Sequence, residues 1–158
     1  MQKIVTNLWY VDDAEAAVDF YCSLFEDAKV LETVIHTEAG PGPEGTVAVV
    51  EFQLAGQRFS AINGGERAEY THAMSLLINC ADQDEIDRVW RAILDQGGKE
   101  IACGWIADKW GVNWQVWSVE AAEIFSGSDP EGLVRATRAM YGMKKIDIRA
   151  LRKAYEGG

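Results

Sequence analysis

A chain of 158 residues that is 48% hydrophobic is long enough to bury one ordinary core, or two small halves packed intimately. Its 25 acidic against 15 basic residues give a formal charge of -10, a field that repels phosphate backbones and anionic lipid and so argues against nucleic acid and membrane surfaces as partners. No apolar run approaches the roughly 20 residues needed to span a bilayer, and the start Met1-Gln2-Lys3-Ile4 has no signal-peptide architecture, so a cytoplasmic protein is expected.

In chain order, Ile4 to Val11 reads as an apolar strand followed by the acidic turn Asp12-Asp13. Ala14, Ala17, Val18, Tyr21 and Phe25 then recur at three- and four-residue spacing, which predicts a helix from Ala14 to Phe25, with the preceding Asp suited to its N-terminal cap. Three strands follow, over Lys29 to Thr37, Thr46 to Leu54 and Gln57 to Asn63. The second alternates with period two, and Ala55-Gly56 is a two-residue hairpin turn into the third. Gly40-Pro41-Gly42-Pro43-Glu44-Gly45 breaks the chain between strands and reads as an exposed loop, with His36 a surface residue beside it.

Near residue 70 the same order of signals begins again. An apolar strand from Ala73 to Cys80 meets the cap-rich turn Ala81-Asp82-Gln83-Asp84. A helix carrying Ile86, Val89, Trp90, Ile93 and Leu94 on one face then ends at Gly97-Gly98. Short strands are expected at Lys99 to Cys103, Trp105 to Asp108 and Val112 to Val119. Beyond Ala121, Asp129-Pro130-Glu131 opens a helix with Pro in its first turn, and Met143 to Asp147 leads into a final basic helix. The fold class is α+β: two βαβββ units, 1–68 and 69–120, with a helical extension over 121–158. Lys144, Lys145, Arg149, Arg152 and Lys153 suit docking of that extension onto the acidic body or a second chain.

Three widely spaced cysteines, Cys22, Cys80 and Cys103, form no C-x-x-C and have no neighbouring His, so reduced thiols are expected. The densest chemistry runs from Cys103 to Gln115, where three Trp, a Cys, two Gly and an Asp/Lys pair share thirteen positions. Indole rings at that density wall a pocket or a subunit interface. Within it Cys103 is either a packed thiol or a reactive one, and a reactive one needs a nearby cation or helix N-terminus to lower its pKa. Asp108 and Lys109 are an acid/base pair or a solvated hairpin tip. Gln115 shares a face with Asn113 and Trp117, and either orients a carbonyl or hydroxyl of a ligand or makes a structural hydrogen bond. His72 links or caps the second unit. Asn63-Gly64-Gly65 reads as a β-turn.

The tandem plan with Asn7-Leu8-Trp9-Tyr10-Val11-Asp12-Asp13 leading into Phe20-Tyr21 resembles the vicinal oxygen chelate superfamily of glyoxalases, bleomycin-resistance proteins and extradiol dioxygenases. Asn63-Gly64-Gly65, Asn79 to Asp87, Cys103 to Gln115 and Met143 to Asp147 resemble its PhnB-like branch, labelled 3-demethylubiquinone-9 3-methyltransferase-like. That resemblance implies half-open sheets around a cavity, a homodimer, and metal-ligand positions on the first and last strands of each unit. Carried over, these positions fall on Thr6, Ser75, Gln115 and either Ala61 or Asn63, a set without His, Asp or Glu. Divalent metals in such enzymes rely on imidazole and carboxylate donors, so no cofactor is expected, although a divalent-metal site of another make-up stays open, with His72 nearest to it. Nothing in the sequence reads as the Gly-rich βαβ unit common to S-adenosylmethionine enzymes.

The leading expectation is a small-molecule binding protein whose aromatic cavity uses Trp9, Asn63, Trp105, Trp114 and Gln115. The alternative is a small-molecule enzyme, a lyase, isomerase or methyl-transfer protein, with Cys103, Asp108 or His72 handling the proton. A third possibility is a filled, vestigial cavity in a protein that acts through its dimer surface.

Overall fold

A computed structural model describes residues 2–158, which divide into two compact units, one ending at Glu69 and one running from Tyr70 to Gly158. In the first, β1 (Thr6–Tyr10), α1 (Ala14–Leu24), β2 (Lys29–Ile35), β3 (Val47–Leu54) and β4 (Gln57–Asn63) form a mixed sheet in the order β1-β4-β3-β2. β1 runs parallel to β4, and the β3–β4 hairpin closes through Ala55 (φ 45°) and Gly56 (φ 78°), both left-handed as a two-residue turn of this kind requires. One face of the sheet buries Leu8, Tyr10, Phe52 and Phe59 against Val18, Tyr21 and Leu24 of α1. The Phe52 and Phe59 rings stack at 5.3 Å, and the Tyr10 and Tyr21 hydroxyls meet at 3.0 Å. The expected Asp13 cap is replaced: the Asp13 side chain makes no capping bond, and Asn63 Oδ1 at the end of β4 accepts from Ala14 N at 2.9 Å.

The second unit repeats the plan with β5 (Leu76–Cys80), α2 (Gln83–Asp95), β6 (Lys99–Glu100), β7 (Trp105–Ala107) and β8 (Asn113–Ser118) in the order β5-β8-β7-β6. Asp82 caps α2 through Glu85 N. At the other end Gly98 N donates to Ile93 O and Gly97 N to Leu94 O, the paired bonds of a glycine-terminated helix. Ile86, Val89, Trp90 and Ile93 are buried with Ile106, Trp114 and Val116.

The extension is three helices, α3 (Val119–Phe125), α4 (Pro130–Tyr141) and α5 (Ile148–Glu156), and belongs to the second unit. α3 lies where the sequence suggested only a change of character. It starts because Ser118 ends β8 and turns its hydroxyl back to accept from Ala121 N. Gln83 fastens α5 by donating to Ile146 O and accepting from Ile148 N, while Lys145 pairs with Asp87 and Lys144 with Glu100. The segment before α5 is also tied to the turn before β7: Cys103 N donates to Met143 O and Gly104 N to Lys144 O.

His36 departs from expectation. It is only 8% exposed, because Gly40 and Gly42 bring loop backbone onto its ring: a methyl at either would come within 2.7 Å of Nδ1 or 2.5 Å of Nε2.

Candidate functional site: an aromatic cavity in the second unit

Alternation along β8 decides which residues of the Trp-rich stretch are available. Asn113 to Ser118 pack Trp114 and Val116 inward, at 2% and 0% exposure, and leave Gln115 and Trp117 half-buried on the other face. Leu77 of β5 and Trp105 of β7 flank Gln115 on that face by register. Together with His72, Cys103 and the end of α4 (Met140 and Tyr141) they wall a cavity of about 570 Å³. The His72 and Trp105 rings meet edge to face, 5.8 Å apart at 83°.

The corner at Cys103 is shaped by the backbone. Cys103 (φ 53°) and Gly104 (φ 83°) are consecutive left-handed residues, and a non-glycine residue there is uncommon. Gly104 is required, since a methyl on it would lie 3.0 Å from both Ile146 Cγ1 and Val116 O. The cost is offset by the two hydrogen bonds to Met143 and Lys144, so the extension holds the cavity's edge in place.

The cavity wall carries no Asp, Glu, Lys or Arg. Its polar side-chain groups are the His72 imidazole, the Cys103 thiol, the Tyr141 phenol, the Gln115 amide and the indole N–H groups of Trp105 and Trp117. Gln115 Nε2 donates to Ser75 Oγ at 2.7 Å, which fixes the amide plane, while Oε1 takes no hydrogen bond from the protein among the described residues. A ligand N–H or O–H therefore has an oriented acceptor in an open, largely apolar and aromatic cleft.

Of the residues singled out in the sequence, His72, Cys103, Trp105 and Gln115 converge here, and the others lie elsewhere. Trp114 is in the core, not on the cavity, because it sits on the opposite face of β8 from Gln115. Asp108 is neither a solvated tip nor a cavity group. It is 4% exposed, its Oδ1 accepting from Trp110 N and Val112 N and its Oδ2 from Trp114 Nε1, all at 2.9 to 3.0 Å. It organises the β7–β8 turn. In the first unit Asn63 spends its amide on Glu15 Oε2 and Val47 O besides capping α1, and Trp9 donates Nε1 to Glu66 O with its ring lying over Gly64. Sequence reasoning missed Leu77, Met140 and Tyr141. Leu77 had a signal in the β5 alternation, whereas nothing local marks the end of α4 as a wall.

The metal-ligand positions also move. Three residues separate β1 from α1 but only two separate β5 from α2, so β1 and β5 align Thr6 with Leu76 and not with Ser75. Counted from Gln115, whose β5 partner is Leu77, the equivalent pair in the first unit is Asn7 and Ser60. This set too offers no imidazole or carboxylate, so it does not fit the divalent ion of metal-dependent glyoxalase-like proteins. Among the described residues no group of three or more His, Cys, Asp and Glu is placed to hold a metal ion.

Two βαβββ units with open mixed sheets, the second bearing an open cleft of small-molecule size, define a glyoxalase-like protein of the vicinal oxygen chelate superfamily. The profile of the 3-demethylubiquinone-9 3-methyltransferase family matches residues 2–117. The PhnB protein of Bacillus cereus is 36% identical over 75% of this chain and all of its own, with a TM-score of 0.66. The chain thus belongs to the PhnB-like 3-demethylubiquinone-9 3-methyltransferase family. The fold is shared with the fosfomycin resistance protein FosX from Mesorhizobium loti (14% identity, 80% of this chain and 100% of that one, TM-score 0.56). It is shared too with protein PA1353 from Pseudomonas aeruginosa (16%, 75% and 98%, 0.60). A comparison with curated proteins gave no match.

Proposed function

We propose that the protein binds a small, uncharged organic molecule with a planar body in the second unit's cavity, without the metal used by metal-dependent relatives of this fold. The observation that carries the reading is the wall itself: Trp105, Trp117 and Tyr141 rings around about 570 Å³, with no Asp, Glu, Lys or Arg side chain and one oriented acceptor, Gln115 Oε1. Ring stacking contributes about 0.5–1.5 kcal/mol per pair beyond area burial, against about 0.5–1.5 kcal/mol for one hydrogen bond. With three rings to one fixed acceptor, shape and planarity select the ligand and Gln115 sets its orientation. A charged ligand finds no carboxylate, ammonium or guanidinium partner in this wall and would lose hydration on entry.

Native mass spectra of untagged protein, in buffer treated with chelator and in buffer supplied with divalent metals, test this directly. Expected is the same mass in both, with a nonprotein adduct or, for stripped protein, uptake of neutral planar fragments that quench Trp fluorescence and that Trp105→Ala weakens by about tenfold, or 1.4 kcal/mol. A stoichiometric metal removed by the chelator, or indifference to Trp105→Ala, refutes the reading.

We further propose that the chain is a cytoplasmic homodimer. All seven residues of β2 are exposed, Val30, Val34 and Ile35 among them, and apolar exposure on such a scale marks an interaction surface. Reduced cysteines fit the compartment, and no helix of the described residues is long and apolar enough to cross a membrane. The same spectra report whether the mass is twice 17.5 kDa.

A further inference from the structure

We propose that the first unit carries a second, independent binding site, for a small organic cation of the alkylammonium class, in a cavity roofed by the loop from Gly40 to Gly45. It goes beyond the reading above, since it concerns another unit, another cavity and the opposite demand on ligand charge.

The cavity encloses about 450 Å³ at the C-terminal ends of the parallel pair β1 and β4. His36 is in its wall, more than nine-tenths buried under Gly40 and Gly42, and among the described residues its ring makes no hydrogen bond. Its ring nitrogens are not sealed off either, since the buried orphan atom among the described side chains is Arg58 Nε. A buried imidazole without a protein partner and open to a cavity calls for a partner from within that cavity. The other polar groups of the wall are committed or anionic. Asn63 uses its amide on Glu15, Val47 and Ala14, and the Thr46 hydroxyl donates to Pro43 O. What remains for a ligand is chiefly acceptor capacity, from the Asp12 and Glu15 carboxylates, beside the unpartnered ring nitrogens of His36.

Charge distribution selects the same chemistry. Residues 1–69 contain 12 acidic and 4 basic side chains, so -8 of the chain's -10 sits in this unit. Such a field concentrates cations. A divalent metal is disfavoured because Asp12, Glu15 and His36 do not form a coordinating cluster in this arrangement. An ammonium asks less: three N–H donors spread over separate acceptors, with an alkyl body against Pro41, Pro43 and Val47.

The test uses n-butylammonium as probe, with n-butanol and butyrate as isosteres of equal length, and reads the imidazole signals of His36 by NMR. The chain has two histidines, so His72→Gln leaves a single ring to follow. The site is supported if butylammonium shifts the His36 resonances saturably, if butanol and butyrate bind at least tenfold more weakly, and if Asp12→Asn with Glu15→Gln lowers butylammonium affinity at least tenfold. It is overturned if the ring does not respond to butylammonium, or if the isosteres bind equally well. A double variant with unchanged melting temperature and unchanged affinity also overturns it. The isostere comparison is made on unaltered carboxylates and so decides the matter even if the double variant fails to fold. The His72→Gln background alters the second unit's cavity wall, but every binding readout here is taken at His36. The ligand reading above is tested on protein that keeps His72, so the two fail separately.

Discussion

Replacing Asp108 with Asn separates a structural carboxylate from a catalytic one. Asp108 is buried, and its oxygens accept from Trp110 N and Val112 N on Oδ1 and from Trp114 Nε1 on Oδ2. Asn fits the same space but has only one acceptor oxygen. With that oxygen facing the two backbone donors, its NH₂ confronts the Trp114 N–H; turned the other way, it confronts both backbone donors. The first arrangement is cheaper, losing one charge-assisted bond worth about 1.5–3 kcal/mol and leaving a buried indole N–H unpaired. A loss of about 2–3 kcal/mol follows, or roughly 4–12 °C in melting temperature at about 2–4 °C per kcal/mol for a chain of this size. Thermal melts by circular dichroism measure it. Trp114→Phe removes the donor that the Asn opposes, so the double variant should be less destabilised than the sum of the two singles by about 1–2 kcal/mol. At 20 °C the rate at which iodoacetamide alkylates Cys103 should be unchanged, because Asp108 does not line the cavity. A melting temperature within about 2 °C of wild type would refute the structural role and return Asp108 to the list of proton handlers.

Gly104→Ala places a methyl 3.0 Å from Ile146 Cγ1 and Val116 O at φ 83°, and should cost about 1–3 kcal/mol in urea unfolding while exposing the extension from Met143 onward to limited proteolysis. Among the thiols, burial, with help from Glu85, pushes Cys80 up to about 12, and burial raises Cys22 as well. Iodoacetamide at pH 8 should therefore spare Cys80 until the protein unfolds, modify Cys103 most readily, and be slowed at Cys103 by any occupant of the cavity. The Lys145 hydrogen bond, with Gln83 assisting, holds the Asp87 carboxyl below its ordinary 3.8. A depressed folded value means the stabilisation is complete above the unfolded value and lost as pH falls through the folded one. The melting temperatures of wild type and Asp87→Asn should thus differ slightly at pH 7, by the equivalent of at most about 1 kcal/mol for so exposed a pair, and converge below about pH 4.

Local patterns carried the secondary structure well, because period-two and period-3.6 burial are written in single residues. β3, β4 and α2 lie where alternation and spacing put them, and Ala55-Gly56 turns as two-residue hairpins do. What the patterns did not show are features decided by distant or compensating contacts. α3 was hidden because Ser118, its cap, also closes β8, so one residue serves two elements. His36 is buried by glycines four and six residues further on, a consequence of loop closure with no periodic signature. The mismatch of Thr6 with Ser75 came from counting back from an acidic turn whose length differs by one residue between the units, and one residue reverses the face of a strand. Trp114 stood in the right stretch but on the wrong side of β8, and the strict alternation from Gln115 was the cue that separates it from Trp117. Asp108 is drawn inward by donors of the β7–β8 turn that only the folded chain brings together.

The two units show how one strand order is turned to different ends by the residue that closes its parallel pair. Asn63 pairs with Tyr10 at the end of β4, and Ser118 pairs with Cys80 at the equivalent place in β8. Asn63 reaches back to cap α1 and to hold Glu15, so the first unit keeps a carboxylate-rich cavity beside its own helix start. Ser118 instead caps a helix that follows it, and the chain beyond returns to bring Met140 and Tyr141 over the second unit's open face. With the extension included, residues 70–158 hold 13 acidic and 11 basic side chains, close to neutral, whereas the first unit carries -8. The same fold therefore presents an aromatic cleft without Asp, Glu, Lys or Arg in one unit and a carboxylate-bearing one in the other. The difference traces to whether the closing polar side chain points to the helix before it or begins the helix after it.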